Sequence, residues 1–235
     1  MIKDKETNEA WIKWRVEQVK YFFSSLKAFD AGVAGGSSFL QSVELLPGEH
    51  FHVARAVQPR QIEFALGRTL AREALGVIGH PPVAIPAGAD RAPIWPQGVI
   101  GSITHCEEIC VAVVAPLKSG IGMLGVDLER IAAVSELIEM ITTPRERQQV
   151  WFSRQPDLDI LVSLCFSAKE SAYKAFYPRI RRFLDFRDVE LDFDFPAAGF
   201  TARLAPHVSS DSGAGQMLRG RFSMGDGFVM TYAAA

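Results

Sequence analysis

The sequence predicts an α+β protein made of two related halves. Three observations carry that expectation. A helical periodicity over residues 61–75 is followed by β-like runs at 99–104, 109–114 and 123–128. A longer helical pattern over 158–176 is followed by β-like runs at 189–195, 200–204, 217–222 and 228–232. A turn-compatible stretch, 116–120, reads as the connection between the halves. No residue-level repeat joins the halves, so the relation is one of element order alone. A ligand would naturally sit between two such halves.

The elements follow from spacing. Ile12, Val16, Val19, Phe23 and Leu26 recur at three and four residues, the mark of an amphipathic helix over 11–29. Small residues at 31–38 then break the pattern and read as a linker, so residues 1–36 are set apart as an N-terminal appendage, with 37–117 and 118–235 as the two halves. In the 61–75 helix, Ile62, Ala65, Leu66, Leu70 and Leu75 share or border one face, and Gly76 reads as the stop. A Pro/Gly-rich loop spans 81–98 before the β-branched runs begin.

Composition excludes several classes. A chain of 235 residues can bury roughly 70% of its unfolded surface. It is 48% hydrophobic and 22% charged, which is globular rather than disordered. A formal net charge of −2 argues against a general nucleic-acid binder. The longest apolar run, 109–117, is too short to span a membrane, and the acidic, non-apolar start does not read as a secretory signal. Cys106, Cys110 and Cys165 form neither an even disulfide framework nor a C-x-x-C pair, which suits buried thiols in a reducing cytoplasm and suggests no zinc site.

Three segments carry chemistry. In Gly125-Val126-Asp127-Leu128-Glu129 the strand alternation puts both carboxylates on one face. Such a pair suits Mg²⁺, a hard ion that takes a few carboxylates and fills its shell with water and phosphate oxygens; a solvated strand end is the plainer alternative. In Phe166-Ser167-Ala168-Lys169-Glu170-Ser171-Ala172-Tyr173-Lys174 the helical spacing sets Phe166, Glu170 and Lys174 on one face, either as chemistry or as an ordinary i, i+4 ion pair. The run Trp95-Pro96-Gln97-Gly98-Val99-Ile100-Gly101-Ser102-Ile103-Thr104-His105 delivers Ser102, Thr104 and His105 at a strand end, where a phosphate or a structural hydrogen bond would satisfy them.

In their order and spacing these segments resemble the phosphopantetheinyl transferase superfamily, and most closely its monomeric surfactin-type group, which includes the siderophore-synthesis component D enzymes. The helix carrying Arg60, Glu63, Gly67, Arg68 and Glu73 is similar to the family's as well, and the resemblance runs nearly unbroken from Arg60 to Phe222.

That resemblance implies two similar α+β halves with pseudo-twofold symmetry, binding coenzyme A in the cleft between them. It implies transfer of the 4′-phosphopantetheine arm from coenzyme A to a serine of an apo carrier protein, with release of adenosine 3′,5′-bisphosphate. The metal ligands would be Asp127, Glu129 and Glu170, for Mg²⁺ or alternatively Mn²⁺. Arg60 and His105 match positions that hold the 3′-phosphate or nearby phosphate oxygens; Arg68, Ser102 and Thr104 lie in nucleotide-lining segments; Arg91 corresponds to a basic position of variable register. Lys169 and Lys174 match the motif lysines, with Lys174 the better phosphate contact because it shares Glu170's face, and Glu170 serves as ligand, as base, or as both. An acidic carrier would dock on a basic and apolar surface, and residues 178–183, with Arg179, Arg181, Arg182 and Phe183, have that character or are simply a solvated basic loop. A Mg²⁺-dependent nucleotide pyrophosphatase and a non-catalytic coenzyme A-binding module are the rival readings. The presence of all three carboxylates speaks against the second.

Overall fold

The computed structural model describes residues 2–154, 157–208 and 217–235. The chain forms two compact units, Met1–Ile121 and Gly122–Ala235.

The first unit holds helix α1 (Ile2–Phe23), strand β1 (Gly32–Gly36), helix α2 (Gln58–Val77) and the hairpin β2 (Val99–Cys106) and β3 (Ile109–Pro116). Its sheet has the order β1-β3-β2. Ile12, Val16, Val19 and Phe23 form the buried stripe of α1, as their spacing requires. β3 is buried along nearly its whole length, which explains its unbroken apolar sequence. Leu66, Leu70, Ala71 and Ala74 of α2 close one core against Ile85, Ala112 and Val114.

The segment expected to be a linker is instead β1, paired antiparallel with β3 from Gly32 opposite Val114 to Gly36 opposite Cys110. Its glycines serve proximity. A Cβ on Gly32 would stand 2.1 Å from the carbonyl oxygen of Ala74 on α2. Part of the segment set apart as an appendage is thereby built into the sheet of the first unit.

The second unit begins with β4 (Leu124–Arg130). Three one-turn helices follow, α3 (Ile138–Ile141), α4 (Pro144–Arg147) and α5 (Val150–Ser153), and then the long α6 (Leu158–Ile180). Strands β5 (Val189–Asp194), β6 (Gly199–Leu204), β7 (Met217–Gly225) and β8 (Phe228–Ala234) complete a five-stranded antiparallel sheet of order β4-β8-β7-β6-β5. In the sequence the 123–128 run groups with the two before it, although the division at 117/118 sets it in the second half. It pairs instead with β8, with Asp127 opposite Thr231, because the N–H groups of Gly122 and Met123 both donate to the Ala235 carbonyl and start that ladder. Helix α6 runs four residues past its expected end and stops at Arg181, whose left-handed φ of 54° turns the chain.

A repeat invisible in the residues is plain in the connectivity. Each unit places a strand, then a helix, then a closing hairpin whose last strand pairs antiparallel with the first: β1-α2-β2-β3 and β4-α6-β7-β8. The second unit inserts the β5-β6 hairpin before the closing pair. The same device seats each helix, since a Cβ on Gly125 would stand 1.9 Å from the carbonyl oxygen of Ser171 on α6.

Candidate active site

Gly125 faces α6, so strand alternation turns Asp127 and Glu129 toward the same helix. Asp127 is 2% exposed and Glu129 is half-buried. From α6, Lys174 reaches down and donates through Nζ to Asp127 Oδ1 at 2.6 Å and to the Val126 carbonyl at 3.2 Å. Glu170, one turn earlier, projects from the same helical face. Behind this face the buried Thr231 of β8 donates to the Ser167 carbonyl at 2.9 Å and lies 3.0 Å from Ser167 Oγ. That pair pins α6 to the sheet one turn before Glu170. Neither residue stood out in the sequence, because a buried hydroxyl pair 64 residues apart has no local signature.

The carboxylates feel one another. Burial, followed by the charges of Asp127 and Glu170, pushes Glu129 up to about 7 against the pull of Lys174. Burial raises Glu170 too, with Lys174 opposing and Asp127 reinforcing. Three acids on one face, two of them reluctant to ionise, form a site that gains from a cation. All three offer hard oxygens, the donor chemistry that Mg²⁺ and Mn²⁺ prefer. Among the described residues, however, no three acidic, histidine or cysteine side chains converge closely enough to hold an ion by themselves. The ammonium of Lys174 is the cation seated on Asp127.

Lys169 does not belong to this face. It is 1% exposed, and its Nζ donates to Glu146 Oε2 and to the Phe186 carbonyl, each at 2.9 Å. Glu146, equally buried, also accepts from the backbone N–H groups of Thr143 at 2.6 Å and Leu191 at 2.7 Å. The expectation that Lys169 binds coenzyme A is corrected: one residue is about 100° around a helix, and that rotation sends Lys169 inward while Glu170 faces β4.

The residues expected around the nucleotide lie in the first unit and separate into groups. Arg60, on the first turn of α2, donates to Glu63 Oε1 at 2.6 Å, and His105 Nε2 at the end of β2 meets the same oxygen. Glu63 and His105 line a pocket of about 380 Å³ with Gln58, Pro59, Glu107 and Glu108. Ser102 and Thr104 are buried and alternate with Ile103, whose side chain packs on α2 at Gly67. They therefore point to the opposite face of β2. Arg91 occupies the tip of a tight turn at a φ of 67°, its N–H bonded to the Gly88 carbonyl. Arg68 is corrected. It is buried, its Nε donates to the Ile85 carbonyl at 2.7 Å, and its guanidinium lies 4.0 Å from the centre of the Phe64 ring. Burial lowers it to about 10. The sequence placed Glu63 inside the motif helix, three residues after Arg60, but gave no sign that it would gather both cations.

Comparison with known proteins agrees with this layout. Residues 48–115 match the 4′-phosphopantetheinyl transferase N-terminal domain, and residues 123–232 match the 4′-phosphopantetheinyl transferase superfamily. The chain is 41% identical to the 4′-phosphopantetheinyl transferase Svp of Streptomyces mobaraensis over 81% of its own length and 78% of that protein's. It is 34% identical to the transferase Npt of Nocardia iowensis over 80% and 88% of the two chains. Enterobactin synthase component D of Salmonella typhi matches at 36% over 61% of this chain and 60% of that one. Matches of this extent, falling on both units and covering the carboxylate face and the His105 strand, establish that the chain belongs to the 4′-phosphopantetheinyl transferase superfamily.

Proposed function

We propose that Asp127, Glu129, Glu170 and Lys174 form the centre at which this chain performs the reaction of its superfamily. Phosphopantetheinyl transferases move the 4′-phosphopantetheine arm of coenzyme A onto a serine of an apo carrier protein, and this chain is one of them. The observation that carries the assignment is the facing pair of elements: β4 and α6 bring two buried or half-buried acids, a third acid and one ammonium together.

The reaction breaks the bond between the β-phosphorus of coenzyme A and its bridging oxygen, forms a new bond from the serine oxygen to that phosphorus, and releases adenosine 3′,5′-bisphosphate. Glu170, whose carboxyl is raised by burial, is suited to take the serine proton. Lys174 is suited to stand against the negative charge that gathers on the departing diphosphate oxygen, moving from Asp127 toward it. A divalent ion held by Asp127, Glu129 and Glu170, with substrate oxygens completing its shell, would supply neutralising charge at the pyrophosphate. Arg60 and His105 are assigned to the 3′-phosphate. Docking of an acidic carrier is assigned to the exposed Arg179, Arg181, Arg182 and Phe183. We assign the chain to the cytoplasm as a monomer; its three cysteines are free thiols, and no described helix is long and apolar enough to cross a membrane.

The test is a metal titration by calorimetry in the presence of coenzyme A. Wild type should bind Mg²⁺ or Mn²⁺ and lose transfer in a chelator, and Asp127→Asn should abolish the binding. Unchanged metal affinity in Asp127→Asn would remove the assignment.

A further inference from the structure

Glu63 is the unassigned residue with the most revealing position. It sits in the pocket between two cations brought from separate elements, Arg60 from the first turn of α2 and His105 from the end of β2. A single carboxylate oxygen, Oε1, meets both. The N-terminus of α2 opens on the same pocket through Gln58 and Pro59, and Val57, its capping residue, supplies no side-chain acceptor to the first turn. A 20-residue helix directs partial positive charge toward that end. The two cations and the helix N-terminus at Glu63 Oε1 are thus arranged for an anion, and the anion present belongs to the protein.

We infer that Glu63 is a built-in placeholder for the substrate's 3′-phosphate, neutralising Arg60 and His105 until the phosphate displaces it. The inference deepens the assignment of Arg60 and His105 to that phosphate and rests on it. Two features give the exchange a direction. A phosphate monoester near neutral pH carries about −1.5 to −2 charge against −1 for a carboxylate, and it offers three acceptor oxygens. It therefore replaces Glu63 with a net increase in attraction, whereas a singly charged anion merely exchanges like for like. Glu107 and Glu108, at the β2-β3 turn, line the same pocket and repel any anion that the two cations do not hold. Glu63 would on this account set selectivity: it lowers affinity for anions in general and leaves the 3′-phosphorylated ligand as the one that binds.

The experiment measures dissociation constants of coenzyme A and 3′-dephospho-coenzyme A by calorimetry, and inhibition of transfer by inorganic phosphate, for wild type, Glu63→Gln and His105→Ala. Glu63→Gln keeps the shape of the side chain and removes the competing charge. It should tighten coenzyme A by about tenfold, the value of one charge-assisted hydrogen bond made without a competitor. Dephospho-coenzyme A should be unaffected, and inorganic phosphate should become an inhibitor at concentrations the wild type ignores. His105→Ala should erase the preference for the 3′-phosphate. If His105→Ala erases it while Glu63→Gln weakens coenzyme A or leaves it unchanged, Glu63 is a strut that orients the cations and the placeholder inference fails alone. If His105→Ala keeps the preference, the phosphate assignment fails and the inference falls with it.

Discussion

Replacing Lys169 by methionine separates the two lysines of the α6 motif. The substitution keeps the aliphatic stem and deletes an ammonium that is 1% exposed and bonded to Glu146 Oε2 and the Phe186 carbonyl, each at 2.9 Å. Removing one partner of a buried ion pair costs about 3–5 kcal/mol, because the other charge is left behind. Here the remaining carboxylate keeps the N–H groups of Thr143 and Leu191, which places the cost near the lower end, about 3 kcal/mol. For a chain of this size that is a fall in melting temperature of roughly 6–12 °C. A second substitution, Glu146→Gln, should recover about 1–2 kcal/mol by removing the orphaned charge while keeping an acceptor for the backbone. The assay pairs urea and thermal denaturation with calorimetric binding of coenzyme A. Lys169→Met should lose stability and keep its affinity for coenzyme A, whereas Lys174→Met, which leaves the buried Asp127 carboxylate without its ammonium, should lose transfer as well as some stability. An unaltered melting point together with weakened coenzyme A binding would show that Lys169 faces the substrate.

Asp127→Asn and Glu170→Gln should each abolish transfer with circular dichroism unchanged, since both remove a charge from a functional face; near-normal turnover in either would exclude it from the centre. In a chelator, stability should fall as pH rises from about 4.5 to about 7. The folded pKa of Glu129 lies above its unfolded value, so the native state binds the proton more tightly and loses that advantage across this window. Glu170 and Glu73 act with the same sign, and the Glu129 contribution is about 1–2 kcal/mol after allowance for its partial exposure. Mg²⁺ should flatten the decline by favouring the ionised form, and urea curves at pH 5 and 8 would contradict this if stability rose with pH in the chelator. Gly125→Ala should cost about 3 kcal/mol or more, because the new Cβ meets the backbone of Ser171 at 1.9 Å and must push α6 off β4; a neutral melting curve would refute the close packing. Replacing Arg179, Arg181 and Arg182 by serine should raise the carrier's KM and flatten its salt dependence while leaving coenzyme A affinity unaltered. A loss of coenzyme A binding with the carrier's KM unchanged would place these arginines at the nucleotide instead.

Local periodicity made α2, α6 and β5 to β8 legible, because each carries its own 3.6 or alternating pattern in the residues. The carboxylate face was legible for the same reason. Asp127 and Glu129 are two apart on a strand, and Glu170 and Lys174 are four apart on a helix, so each pair shares a side whatever the rest of the chain does. What escaped was long-range. β1 reads as a linker because three of its five residues are glycine, and their purpose emerges only when Ala74 arrives 42 residues later against Gly32. The partner of β4 lies at the far end of the chain. Lys169 looks like a companion of Glu170 in the motif, and only Glu146 and Phe186 reveal that it points inward. Arg68 likewise shares a helix with Arg60 and Glu63 but sits over Phe64 in the interior.

The central claim is that transfer depends on the acids that β4 and α6 bring together. It is tested most directly by the intact mass of an apo carrier protein after incubation with coenzyme A and Mg²⁺, using wild type and Glu170→Gln in parallel. The account predicts that wild type adds the mass of one phosphopantetheine group at a single serine and that Glu170→Gln adds none while remaining folded. Equal modification by both proteins would contradict it.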